Sequence, residues 1–408
     1  MPPVSGTALS AAPADPLVSP KREYARWRHV KQWLGALQRR QCRSARDEYE
    51  LQNVVERWLL SLCQVGCALF PGPASDGATE REETHAKCLA ELLEKKLITT
   101  YEQPRVLEDL RALAERRNEE DPGAHEQEHE PVLRAGVLTY RDFAYRLPAG
   151  QERFLQERPS EQEPERRVTR LAALALRYET LLNRGQQWAL PRRVYAHLFR
   201  RHNFRFEAFA SPLNTRIGAL ALQEEEEEEE AQEEAQTRRW GFCSLFAEEL
   251  ERPYGSLGSF FDVELGACSG RAPGDWVVNP PFVEALMLRA VEKIVRHLDA
   301  ELALHARGDA GASPSVTFLI LLPAWRNSEA HRLARSSVYA RALAELAPHS
   351  YTLEQPDGRA LTAPFACTLF LLSLEPWTEG EGAQQAMDAF MKPLLELWAV
   401  APPASNAH

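Results

Sequence analysis

Trp276-Val277-Val278-Asn279-Pro280-Pro281-Phe282 is the stretch from which the rest of the chain can be read. Three residues of strand character run into an Asn-Pro-Pro-aromatic turn, and a helical pattern from Val283 to Leu304 follows at once. Strand, rigid turn and helix make up the repeating unit of an α/β sheet, where ligands bind beyond the carboxyl ends of the strands. The turn also has a specific chemistry. An exocyclic adenine amine is a poor nucleophile, because its lone pair is delocalised into the ring. A protein that methylates it must hold both N–H groups in acceptors and aim the lone pair at the methyl group. The Asn279 side-chain carbonyl can take one hydrogen and the Pro280 main-chain carbonyl the other. The two prolines fix φ and bring no competing N–H. Phe282 can lie flat on the base, where stacking contributes about 1–3 kcal/mol. Asn-Pro also favours a plain turn, but its place between strand and helix favours the chemical reading.

Working outward, helical segments alternate with short apolar runs from about Pro191. The runs Phe204 to Ala210, Phe260 to Leu265, Trp276 to Val278, Val316 to Leu322 and Phe365 to Leu374 are predicted strands. Val283 to Leu304 and Ser336 to Leu346 are predicted helices. The fold class expected is therefore α/β with a mostly parallel sheet. Upstream, residues 21 to about 120 have helical spacing, as in Leu51, Val54, Val55, Trp58, Leu59 and Leu62. Val137 to Leu147 predicts a short strand pair, Pro148 to Pro164 a polar linker, and Arg166 to Asn183 a further helix stopped near Gly185.

The chain has 408 residues, enough for two domains. The domains expected are a disordered tail over 1–20, a basic helical domain over 21–165, and the α/β domain over 166–400, followed by a tail at 401–408. An acidic, disordered insertion at 221–237 interrupts the α/β domain, and it contains the unbroken run Glu224 to Glu230. Net charge is −11, which argues against nucleic acid only on average. Lys21 to Arg46 holds nine basic residues against the single acid Glu23, with Trp27 and Trp33 interleaved. That pattern suits either phosphate binding with stacking platforms or a solvated helix face. The longest apolar run, Val316 to Leu322, is too short to span a bilayer, so no membrane association is expected. Seven cysteines, an odd number, argue against a disulfide framework. Cys63, Cys67, His85 and Cys88 match no standard metal spacing, and no metal is expected.

Many methyltransferases hold the methionine part of their cofactor with a glycine-rich loop after the first strand. Here Phe204 to Ala210 is followed by Ser211-Pro212-Leu213-Asn214, which has no glycine. The ordered series of blocks resembles the cap-specific adenosine N6-methyltransferase family, the phosphorylated-C-terminal-domain-interacting factors. Its Phe-Glu-Cys-Phe-Ala-Ser-Pro-Leu-Asn block is similar to Phe206 to Asn214, and there Ser-Pro-Leu-Asn takes the place of the glycine loop. Cys243-Ser244-Leu245-Phe246, Gly255-Ser256-Leu257-Gly258 with Asp262, Asn279 to Phe282 followed by Glu284, and Pro323-Ala324-Trp325-Arg326 resemble its later blocks. The family's Glu before Trp is Ala324 here, and the acid after Arg is Asn327.

The resemblance implies a Rossmann-like methyltransferase domain on a helical domain, with S-adenosyl-L-methionine as cofactor. The substrate implied is the 5′ end of capped mRNA, methylated in the nucleus on N6 of its cap-adjacent 2′-O-methylated adenosine. Carried over, Asn279, Pro280, Pro281 and Phe282 are catalytic, and Ser211, Pro212, Asn214, Asp262 and Asn279 meet the cofactor. Glu284, Pro323, Trp325 and Arg326 meet the substrate, where aromatic faces suit a methylated guanine cation and Arg326 suits a triphosphate. The alternatives are methylation of internal adenines in RNA or DNA, and a non-catalytic cap- or RNA-binding protein that keeps the fold. The family's larger members carry a WW domain that grips phosphorylated polymerase tail. No such module is expected in this chain.

Overall fold

A computed structural model describes residues 19–65, 67, 70, 78–115, 129–147, 150–158, 164–182, 188–229, 240–246, 250–265, 274–307, 316–355, 358–374 and 381–400. The expected tails over 1–20 and 401–408, apart from residues 19 and 20, and the Gly185 stop lie outside them.

The N-terminal part is helical, as its periodicity predicts. Helices α1 (Pro20–Gln41), α2 (Ala45–Val65), α3 (Ala78–Glu94) and α4 (Gln103–Ala114) bury one face each. Pro20 opens α1, and the Ser19 hydroxyl caps it. A meander of β1 (Val132–Arg134), β2 (Val137–Tyr140) and β3 (Phe143–Arg146) follows, one strand more than the expected pair. Ala135 and Gly136 both have positive φ, as a two-residue hairpin turn requires. The interleaved tryptophans are not stacking platforms. Trp27 is buried edge-on to Phe143, and Trp33 packs on Trp58, so both serve the core. The expected polar linker is interrupted by α5 (Glu152–Glu157), because Phe154 and Leu155 are buried. Gly218 allows this packing, since a Cβ there would stand 2.7 Å from the Phe154 ring.

Helix α6 (Pro164–Thr180) lies against α1. Between them the buried Glu23 carboxylate accepts from Arg26 at 2.5 Å and from Arg177 at 2.7 Å. The two arginines pull its pKa below the ordinary value, against the upward push of burial.

The remaining elements are α7 (Arg192–His202), β4 (Phe204–Glu207), α8 (Ile217–Glu229), β5 (Gly241–Phe242), β6 (Asp275–Val278), α9 (Glu284–Ala306), β7 (Phe318–Pro323), α10 (Glu329–Ser336), β8 (Ala340–Leu346), β9 (Thr352–Glu354), β10 (Ala360–Thr362), β11 (Cys367–Leu372) and α11 (Glu381–Trp398). Six strands form one sheet in the order β5-β4-β6-β7-β11-β8, with β9 and β10 as a separate hairpin. The sheet is mixed. β4, β5, β6 and β7 pair parallel, but β11 runs antiparallel to both β7 and β8. Buried side chains of α7, α8 and α11 cover one face, and those of α9 and α10 the other. A third core joins the N-terminal helices to the α/β part through Leu213, Ala219, Phe242 and Tyr254.

Three predicted elements differ. The predicted helix Ser336 to Leu346 is the end of α10 followed by strand β8, because antiparallel pairing of Leu346 with Cys367 and onward overrides an alanine-rich helical preference. Phe260 to Leu265 is a turn, not a strand, and the α9 residue Lys293 donates to the carbonyls of Phe261 and Val263 at 3.0 and 2.5 Å. The start of the expected disordered insertion is helical, since α8 runs on to Glu229. Residues 230–237 lie outside the described ones. Among the described residues, no helix is long and apolar enough to cross a membrane.

Candidate functional site

The strands β5 and β6 flank β4 on opposite sides, so the chain reverses its direction of winding at β4. Ligands gather at such a switch point, beyond the carboxyl ends of the strands. Here those ends carry Ser211 to Asn214 after β4 and Asn279 to Phe282 after β6.

The turn after β4 is fixed without glycine. Asn214 Oδ1 accepts from the Ser211 N–H at 2.7 Å and from its hydroxyl at 3.1 Å. Glu207, fully buried at the end of β4, accepts on one oxygen from Thr215 Oγ1 at 2.7 Å, Arg216 N at 2.8 Å and Ile217 N at 2.7 Å. It thereby caps α8 with a charge that complements the helix dipole. Burial raises the Glu207 carboxyl above its ordinary pKa, and these donors hold it back.

The turn after β6 is equally constrained. The Pro281 carbonyl accepts from Val283 N at 2.7 Å to start α9. Asn279 Nδ2 donates to the Trp188 carbonyl at 2.7 Å. A carbonyl only accepts, so the amide nitrogen must face Trp188, and Oδ1 is not used by that bond.

Two hollows meet at this turn. The first encloses about 850 Å³, counting the part open to solvent. It is narrow, and its walls include Ser211, Asn214, Asn279, Pro281 and Glu207. Phe209, Phe260 and Phe261 close one side as a cluster with centroids 5.2 to 6.0 Å apart. Tyr178 and Ser244 also face it, and Glu251 is buried beside them. Burial pushes the Glu251 carboxyl up to about 7, against the pull of Ser244, Tyr178 and Arg177.

The second hollow, about 610 Å³ on the same basis, is lined by Phe282, Pro323, Trp325 and Phe365, and by Tyr49, Asn53 and Arg57 of α2. Trp325 is 48% exposed and stands edge-on to Phe282, with centroids 6.4 Å apart. Trp188 lines both hollows.

The structure therefore brings Ser211, Asn214, Asn279 and Pro281 to one hollow, and Phe282, Pro323 and Trp325 to the other. Pro212 and Pro280 are buried in their turns. Glu284 lies outside both, and its Oε1 accepts from Ala330 N at 3.1 Å, capping α10. Asp262 is exposed in the turn after Phe261, and Arg326 forms a surface pair with Glu345 at 3.3 Å. Sequence reasoning missed Trp188, Glu207 and the α2 residues. Glu207 had a local signal, an acid ending an apolar strand. The others depend on tertiary packing.

A third, basic groove of about 1710 Å³ on the same basis lies between α1, α2 and the α3–α4 turn. Arg40, Arg43, Lys96 and Arg105 line it with Asp47 and Glu102, and so does Tyr101, which is 93% exposed. Among the described residues, no group of three or more His, Cys, Asp or Glu is placed to hold a metal.

The family model of the phosphorylated CTD interacting factor 1 WW domain matches residues 151–355, from just before α5 to just after β9. The chain belongs to that family. The match includes both motif turns and most of the walls of the first hollow. It also corrects one expectation, that the chain has no WW-type module, because the matching family model is that of the WW domain. The expectation rested only on seeing no such module in the sequence. The matched stretch runs through the helices and strands that form the hollows.

Proposed function

We propose that this chain is an S-adenosylmethionine-dependent methyltransferase with a Rossmann-like domain, acting on N6 of the cap-adjacent 2′-O-methylated adenosine of mRNA. One observation carries the reading: Asn279 to Phe282 stands at the end of β6 where two hollows meet, with Asn279 and Pro281 in one and Phe282 in the other. A family matched over half the chain is in keeping with it.

The first hollow would take the cofactor, with Ser211, Asn214 and Asn279 as its polar contacts. Bound S-adenosylmethionine supplies a methyl group on a sulfonium. The second hollow would take the target adenine and capped end, against Phe282 and Trp325. Asn279 Oδ1 and the Pro280 carbonyl accept the two N6 hydrogens and turn the lone pair toward the first hollow. Held by Ser211, Asn214 and Asn279, the cofactor would supply a methyl group in place of one N6 hydrogen, whose proton would pass to water. Orientation and fixed dipoles drive such a transfer without a strong base.

Pro323, Trp325 and Arg326 would hold the capped end. The surface pair of Arg326 with Glu345 costs little to exchange for a triphosphate. The RNA strand beyond would follow the basic groove, where Tyr101 is free to stack. Action in the nucleus follows from the family, and its description adds a phosphorylated CTD as a partner.

The test is nucleoside mass analysis of capped and uncapped adenosine-starting RNA after incubation with cofactor. N6-methylation of the capped RNA alone is expected. Equal labelling of both defeats cap specificity in favour of internal adenines. No transfer to any adenine substrate makes the chain a binding protein.

A further inference from the structure

Trp188 has no part in the sequence motifs, yet it stands at the wall between the hollows. Its carbonyl takes the Asn279 amide at 2.7 Å. Its ring lies parallel to Phe365, with centroids 6.0 Å apart and 2° between planes. Phe365 in turn meets Phe282 edge-on at 5.7 Å. The main chain beside it is pinned, because Ala189 exchanges both hydrogen bonds with Glu354, at 2.9 and 2.8 Å. The carbonyl opposite Asn279 is thus carried on a short strap that is held by β9 on one side and by ring packing on the other.

We propose that Trp188 is the positioning residue of the Asn-Pro-Pro-Phe turn, its carbonyl selecting an amide at position 279 and leaving Oδ1 for the substrate amine. The inference rests on the function proposed above and names the residue that makes the turn work. An acceptor facing residue 279 requires a donor in return. Asparagine gives one from Nδ2 and keeps its oxygen for the substrate amine. An aspartate carboxylate in the same place would set oxygen against oxygen. Only its protonated form restores the pattern, with O–H toward Trp188 and C=O toward the amine.

The experiment compares wild type with Asn279→Asp, Asn279→Ala, Trp188→Ala and Trp188→Phe. Methyl transfer to capped RNA is measured from pH 6 to pH 9, with cofactor binding by calorimetry. In parallel, selective 15N-asparagine labelling follows the exchange of the Asn279 side-chain NH2, which needs no turnover. The Asp variant is expected to match the Ala variant at pH 8 and to gain tenfold or more, relative to wild type, toward pH 6. Trp188→Ala is expected to lower kcat tenfold or more, with cofactor affinity within a few-fold and the NH2 newly exposed to exchange. Trp188→Phe, which keeps the stack on Phe365 that the Ala variant loses, is expected to retain most of kcat. An Asp variant as active as wild type at pH 8 with a flat profile overturns the role, as does an unprotected NH2 in wild type. If Trp188→Ala does not fold, the Asp profile and the Phe variant still decide. A wild-type protein with a protected NH2 but no methyl transfer overturns the functional reading on which the role rests.

Discussion

Arg216 and Glu354 stand 2.8 Å apart as an ion pair, the arginine 2% and the glutamate 16% exposed. Arg216 leads into α8 beside the first hollow, and Glu354 ends β9. Glu354 also accepts from Arg192 N at 2.9 Å, at the start of α7, and its main chain pairs with Ala189. One side chain thus joins the entries of two helices to the strap beside Trp188. Breaking a buried pair leaves an uncompensated charge, at a cost of about 3–5 kcal/mol. Glu354→Ala should lower stability by that order in denaturant unfolding, and a change under about 1 kcal/mol would show the pair to be dispensable.

Asn279→Ala removes a preorganised acceptor but leaves the hollow open. Losing one such group typically costs about 10²–10³ in rate. Methylation should fall at least that far while affinity for capped RNA stays within a few-fold by fluorescence anisotropy. Parallel losses in both would mean that Asn279 holds the fold and not the amine.

Trp325 offers an exposed ring to the second hollow. Stacking by such a ring is worth about 1–3 kcal/mol per base. Trp325→Ala should raise KM for capped RNA by roughly tenfold or more with little change in Tm. An unchanged KM would place the capped end elsewhere.

The Glu251 carboxyl titrates near pH 7 in the folded protein, because burial disfavours its charge. The folded state then binds a proton that the unfolded state gives up at the ordinary carboxylate pKa. Between those values stability must fall as pH rises, and the loss is complete above about pH 7. Glu251→Gln should remove that part of the slope and should gain stability over wild type at pH 8, as read by urea unfolding across pH 5 to 8. Identical slopes in the two proteins would contradict the raised carboxyl.

In the basic groove, Lys96→Glu combined with Arg105→Glu should weaken binding of uncapped RNA. It should also flatten the salt dependence of log Kd by about one unit for each phosphate that the groove no longer neutralises. Salt slopes that match wild type would exclude the groove from the RNA path.

The unit β6, Asn279 to Phe282 and α9 was legible because its signals are local: an apolar strand, two prolines and a helical period. The same local logic misread Ser336 to Leu346, whose alanines favour helix until β11 pairs with them from beyond the intervening β9–β10 hairpin. It misread Phe260 to Leu265 as well, where Phe261, Val263 and Leu265 alternate with two acids as in a strand and Lys293 of α9 holds a turn instead. Trp27 and Trp33 looked like stacking platforms only because a linear pattern does not tell which helix face the core will claim. Ser211 and Asn214 were placed by resemblance, and their glycine-free rigidity became explicable only with Glu207 beneath three donors.

Helix α2 presents Tyr49, Asn53 and Arg57 to the second hollow and Leu60 and Gln64 to the first, all at spacings of three or four residues along one face. From Tyr49 to Gln64 that face is about 22 Å long. The α/β half therefore borrows a wall from a segment that its own sheet does not encode. Cutting the chain between the halves would yield a fragment with every motif intact and both chambers breached. Conversely, small shifts in how α2 docks would resize both chambers together, so that cofactor retention and substrate choice would drift as a linked pair when this helix is altered.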